Sequence, residues 1–297
     1  MGYLYLSAAH KSSGKTTVSI GLCAALAGRK GLRVQPFKKG PDYIDPLWLG
    51  AAAGNPCYNL DVFMETPEAN TRLFQSHMQD ADIGLIEGNK GLFDGISTDG
   101  SDSNAAMANL LGAPVVLVID TRGITRGIAP LLHGYATFDA EVEIAGVILN
   151  QVGGSRHESK LRNAVETYTD IPVLGAVGKS SDLVIDERHL GLMPSNEHDA
   201  AQQVIAMLVV AVAVVGHVGP HAGDELVILD HDPGAALGDD ALPVAVALHG
   251  LGAVGAVAVV VLDDVRHPGV ALEDVELATG VGTVEVEPSV HVGVVQG

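Results

Sequence analysis

The chain has 297 residues, 47% of them hydrophobic, enough to bury the core of one large domain or two ordinary ones, which excludes wholesale disorder. A formal net charge of −19, from 17 basic and 36 acidic residues, argues against a nucleic-acid partner, because neutralising phosphates takes clustered Lys and Arg. Cys23 and Cys57 are too few for a metal tetrad and read as buried thiols; without a basic-then-apolar leader pattern, a cytoplasmic address is expected.

In chain order, candidate strands fall at 3–9, 32–37, 82–87, 114–120, 143–150 and 172–176, and candidate helices at 15–29, 66–79, 103–111, 125–138 and 157–168. Runs of Val, Ile and Leu separated by helical patterns predict a mainly parallel sheet covered on both faces, a doubly wound α/β domain over residues 1–200. Ligands collect at the carboxyl ends of the strands in such sheets, so the residues just after each run are the functional candidates.

The first run ends in Ala9-His10-Lys11-Ser12-Ser13-Gly14-Lys15-Thr16-Thr17. This fits the phosphate-loop pattern G-x-x-x-x-G-K-[ST] except that Ala9 replaces the opening glycine, which is tolerable where φ is negative. Backbone N–H groups and the following helix N-terminus would face phosphates, Lys15 would reach the β/γ oxygens, Lys11 adds a second cation, and Thr16 would offer its hydroxyl to Mg²⁺. After the second run, "FKKGPDYIDP" (37–46) packs lysines, carboxylates and a tyrosine together. Gly40-Pro41 blocks a regular continuation, so Asp42, Tyr43 and Asp45 are expected on a constrained loop that can hold Mg²⁺ or orient a substrate carboxylate through a lysine.

The third run closes in "LIEGNKGLFDG" (85–95). Glu87, a carboxylate ending a buried strand beside a phosphate loop, is the best second metal ligand, Asp94 could assist, and Gly88, Gly91 and Gly95 would let backbone approach phosphates. Asp120 either binds metal through water or caps the next helix, and Asn150 either meets an adenine edge or caps. His189, in "ERHLGLMPSNE" (187–197), is a further candidate.

Composition changes near residue 200. Only Arg266 of the basic residues lies beyond it, no aromatic residue follows Tyr168, and the remainder is rich in Val, Ala, Gly and Asp, so 201–297 reads as an atypical tail. The apolar stretch 204–216 is too short to span a bilayer, and 241–262 contains Pro243 and several glycines between aspartates, so no membrane span is expected. Asp230-His231-Asp232 reads as a solvated turn before Pro233-Gly234.

The segments "HKSSGKTTVSIGL", "KKGPDYIDP", "EGNKGLFDG", "VILNQVGGSRH" and "ERHLGLMPSNE", in this order across residues 1–200, resemble the synthetase half of cobyrinate a,c-diamide synthases, ATP-dependent tetrapyrrole amidases related in fold to dethiobiotin synthetase. The resemblance implies a P-loop NTPase-like fold with ATP and Mg²⁺ as cofactors. It implies a nucleotide held by His10, Lys11, Ser12, Ser13, Gly14, Lys15, Thr16, Thr17 and Asn150, and a metal held by Thr16, Asp42 and Glu87. Lys15, Asp45 and Glu87 would be catalytic, and Lys39, Asp42, Tyr43, Asp45 and Asp94 would face the tetrapyrrole substrate. A carboxylate would be phosphorylated and the acyl phosphate then displaced by ammonia.

Members of that family continue into a glutaminase domain with a cysteine nucleophile, but no cysteine follows Cys57 here. The expectation is either that ammonia comes from solution or from a separate glutaminase, or that the chain is a damaged or truncated gene product. Other readings of the same segments are a sirohydrochlorin- or sirohaem-type substrate, a partitioning-type ATPase switch, and a dethiobiotin-synthetase-like carboxylase. A homodimer is compatible with each.

Overall fold

The structure, a computed structural model, describes residues 2–29, 31–180, 187–188, 191–192, 194–197 and 201–211, and beyond these only 227–228, 248–251, 254–257 and 259–260. His189, the Asp230-His231-Asp232 cluster and most of the expected tail lie outside the described residues. Seven strands, β1 (Gly2–Ala8), β2 (Val34–Lys39), β3 (Tyr58–Leu60), β4 (Ile83–Glu87), β5 (Val115–Asp120), β6 (Ile144–Val152) and β7 (Val173–Gly178), form one sheet in the order β3-β2-β4-β1-β5-β6-β7. Every neighbouring pair in it is parallel.

The strands bury both faces, so alternate residues serve two cores. Leu4, Leu6 and Ala8 of β1, Ile83 and Leu85 of β4, and Val116 and Val118 of β5 face one core. Tyr5, Ile86, Val115, Leu117 and Ile119 face the other. Helices α1 (Lys15–Ala24) and α2 (Asp45–Ala53) contribute Val18, Ile20, Leu22, Trp48 and Leu49 to the first core. Helices α3 (Pro67–Met78), α4 (Asn104–Leu111), α5 (Ile128–Phe138) and α6 (Ser155–Tyr168) contribute Phe74, Met107, Leu132 and Leu161 to the second. This is the doubly wound arrangement expected for residues 1–200.

The structure adds elements to that expectation. Asp45 is not on a loop but opens α2, with Pro46 in the first turn, where a missing N–H costs nothing. The three-residue β3 follows, and the expected helix 15–29 keeps α-geometry only to Ala24 before a π-helical turn at Ala25–Arg29. Helix α7 (Ala201–Ala211) lies past the expected boundary at 200, and its Ile205 and Leu208 are buried in the same core as α1. Among the described residues no helix is long and apolar enough to cross a membrane.

Candidate functional site

Strand β1 delivers the chain into residues 9–15, and α1 starts directly from the loop with Gly14 at its N-cap. Ser12 and Gly14 have positive φ (62° and 86°), whereas Ala9 does not, so the absent opening glycine imposes no strain. The Tyr135 hydroxyl donates to the Ala9 carbonyl, and the Ser13 hydroxyl donates to the His10 carbonyl at 2.8 Å. His10, Lys11 and Ser12 form an exposed lip, with Thr17 half-buried behind them. Asn150, at the end region of β6, is 2% exposed, and its Nδ2 donates to the Ser13 carbonyl at 2.8 Å. That donor braces the loop from beneath, so it is not presented to an adenine edge in this geometry.

Four side chains from four elements meet beside this loop. The Thr16 hydroxyl donates to Glu87 Oε1 at 2.8 Å and to Asp45 Oδ2 at 3.3 Å. Lys38 Nζ donates to the same two oxygens, at 2.7 Å to Glu87 and 2.6 Å to Asp45. Strand pleat explains the meeting: Lys38 shares the face of Val34, Glu87 that of Ile83 and Leu85, and Lys38 is the register partner of Glu87 across the β2–β4 pair. That face is the one α1 covers. Lys38 is thus a site residue that motif reading passes over in favour of Lys39, although period-two alternation from Val34 points to it once α1's face is known.

The electrostatics follow from burial. Glu87 is fully buried, which pushes its carboxyl up, while Lys38 opposes the shift. For Lys38 burial alone would lower the ammonium, but Glu87 and Asp45 outweigh it and the group is raised. Lys15 Nζ donates to the Lys90 carbonyl at 2.6 Å; burial lowers it to about 8, Glu87 opposing and Lys38 adding to the effect. A phosphate chain laid on the loop would supply the negative charge that this buried lysine lacks.

The other predicted residues are placed differently. Asp42 Oδ1 accepts the backbone N–H groups of Ile44 and Asp45, at 2.9 and 3.2 Å, so the carboxylate that meets Thr16 is that of Asp45. Tyr43 is 69% exposed at the rim. Lys39 points to the opposite face, where its ammonium donates to the Asp102 carbonyl at 2.7 Å. Asp94 Oδ2 accepts the Gly91 N–H at 3.1 Å. Asp120 is bound by its neighbour Arg122, at 2.6 Å to Nη2.

The glycines after β4 mainly make room for side chains of their own loop. A Cβ on Gly88 would meet Asn104 Oδ1 at 2.7 Å and one on Gly95 would meet Asp102 Oδ1 at 2.3 Å, whereas one on Gly91 would press on the Ala9 carbonyl at 2.6 Å. Asn104, fully buried at the start of α4, donates to the carbonyls of Asn89 and Gly91 and accepts from Tyr5, holding the turn that presents Lys90.

Thr16, Asp45 and Glu87 supply hard oxygen donors of the kind Mg²⁺ takes, and Glu87 Oε2 is buried without a hydrogen-bond partner. Among the described residues no three His, Cys, Asp or Glu gather closely enough to hold a metal alone. A divalent ion here would complete its shell from the Thr16 hydroxyl, phosphate oxygens and water, the usual habit of Mg²⁺ beside a phosphate loop.

Residues 8–192 match the model of the CobQ/CobB/MinD/ParA nucleotide binding domain. The chain belongs to this family. Among CobQ/CobB/MinD/ParA relatives, the cobyrinate a,c-diamide synthase of Magnetococcus marinus is 53% identical over 203 residues, covering 68% of this chain and 43% of the relative. The hydrogenobyrinate a,c-diamide synthase of Streptomyces coelicolor is 45% identical over 207 residues, 69% of this chain and 42% of the relative. The likeness to these synthases read from the five segments therefore holds over the N-terminal two thirds, and the chain spans less than half the length of these curated relatives. Among solved structures, chloroplast FtsY from Physcomitrella patens is similar over 70% of this chain and 65% of its own, with 19% identity and a TM-score of 0.42.

Proposed function

We propose that this chain carries the synthetase half of an ATP- and Mg²⁺-dependent amidoligase that amidates peripheral carboxylates, a and c, of cobyrinate or a related tetrapyrrole in cobalamin-type cofactor biosynthesis. The observation that carries the reading is the convergence of Thr16, Lys38, Asp45 and Glu87 beside a phosphate loop with a buried Lys15. The named synthases at 53% and 45% identity support the substrate class.

In this reading Lys15 leaves the Lys90 carbonyl for the β/γ-phosphate oxygens and the N–H groups at the start of α1 hold the phosphate chain. Thr16, Asp45 and Glu87 would hold Mg²⁺, which when bound would neutralise charge on the phosphates. A substrate carboxylate oxygen attacks the γ-phosphorus, the bond to the ADP oxygen breaks, and an acyl phosphate forms. Ammonia then attacks the acyl carbon, the bond to phosphate breaks, and the nitrogen loses a proton to leave a primary amide. Positioning and charge stabilisation carry most of the acceleration in such transfers, which is why cations and backbone donors are concentrated here. Tyr43, Asp42 and Asp94, on loops at the same sheet edge, would face the macrocycle, whereas Lys39, buried in β2 with its ammonium on the Asp102 carbonyl, would hold the β4–α4 segment behind them.

The test is incubation of the full chain with ATP, Mg²⁺ and candidate tetrapyrroles, with either ammonium or glutamine, followed by mass spectrometry. Amide should form with ammonium and not with glutamine, and Lys15→Ala should remove it, by at least about a hundredfold if its charge acts on the transition state. ATP turnover indifferent to every tetrapyrrole would sink the reading in favour of a switch.

A further inference from the structure

The Lys38 ammonium stands where the site's oxygen donors converge. Its Nζ lies 2.6 Å from Asp45 Oδ2 and 2.7 Å from Glu87 Oε1, and the Thr16 hydroxyl is directed at those same two oxygens. The Lys38 side chain is 4% exposed and that of Glu87 is fully buried, so water does not share the task of separating the two carboxylates. Without a cation between them, the buried Glu87 carboxylate and the part-buried Asp45 carboxylate, both in contact with the one ammonium, would repel each other.

We propose that Lys38 is a built-in counter-cation that holds the Asp45–Glu87 pair assembled in the metal-free protein and that a divalent ion must displace from it. This rests on the Mg²⁺ reading above. An ammonium and a divalent ion cannot share these oxygens at contact distance without strong mutual repulsion. Metal loading therefore frees Lys38 from the carboxylates, and the lysine's positive charge becomes available beside the phosphate loop only once metal and nucleotide are in place. Lys38 acts here as a positioning residue. Lys15, parked on the Lys90 carbonyl and not on a carboxylate, is not tied to metal in this way.

The experiment compares the full wild-type chain with Lys38→Met and Lys38→Arg, measuring Mn²⁺ binding by EPR with and without ADP. Lys38→Met should bind Mn²⁺ about tenfold or more tightly than wild type, the removed competitor being a full charge at contact distance, while Lys38→Arg stays near wild type. In thermal melts without metal, Lys38→Met should be less stable than wild type and recover when Mn²⁺ is added. If Lys38→Met does not fold, lysine side-chain ¹⁵N NMR of the wild-type chain replaces it. The signal assigned to Lys38 by Lys38→Arg should move on addition of Mg²⁺ and ADP. Mn²⁺ affinity unchanged or weakened in Lys38→Met, or an unmoved Lys38 signal in a chain that binds Mg²⁺ with ADP, overturns the proposal and leaves the nucleotide reading standing. No Mn²⁺ binding by wild type or variant in the presence of ADP overturns both.

Discussion

Gly14 shows how closely the phosphate loop is fitted to its surroundings. At φ 86° it occupies backbone space that costs an L-residue about 1–2 kcal/mol, and a Cβ there would lie 2.1 Å from Asn150 Nδ2. Gly14→Ala should therefore weaken nucleotide binding by tenfold or more, measured with a fluorescent ATP analogue, because the strain alone is worth about a factor of ten. Adding Asn150→Ala should relieve the clash but leave the φ strain, so binding would return only in part. The glycine-lysine-threonine chemistry of this loop was readable from residues 9–16, since it depends on neighbours in the chain. That Asn150 braces the loop was not readable, because the two ends of the contact are 137 residues apart.

At the scale of elements, the segment between β4 and α4 is organised by one carboxylate. Asp102 accepts the backbone N–H groups of Ile96 at 2.7 Å and Ser97 at 2.9 Å, while its carbonyl takes the Lys39 ammonium. The Ile96 hydrogen bond, then that of Ser97 and the Lys39 charge, hold the Asp102 carboxyl below its ordinary range against the desolvation that would raise it. A depressed carboxyl stabilises the fold above its unfolded pKa of about 3.9 and loses that contribution as pH falls through the folded value. Asp102→Asn should accordingly lower the melting temperature by a few degrees at pH 7, and the difference from wild type should shrink towards zero as pH falls from the unfolded value through the lower folded one. Helix α2 and strand β3 escaped the sequence pattern for physical reasons: Leu47, Trp48 and Leu49 stand in a row without helical spacing, and β3 is three residues long.

At the scale of the molecule, α7 joins the fold. Leu208 is fully buried and Ile205 is 6% exposed, both packed into the core shared by α1 and α2. Leu208→Ala in the full chain should cost about 2–5 kcal/mol by denaturant titration, as for a buried leucine; a cost near zero would mean that α7 is not part of the folded unit. Period and composition placed the α/β class and the phosphate loop, because a helix, a parallel strand or a glycine-bearing turn is written in residues a few positions apart. The choice of Lys38 over Lys39, and of Asp45 over Asp42, came from long-range geometry. Residues 16, 38, 45 and 87 meet because β2 and β4 pair in one register and α1 and α2 pack on the same face of the sheet. Strand order and register are settled by burying both faces of the sheet at once, a condition that no short stretch of sequence contains.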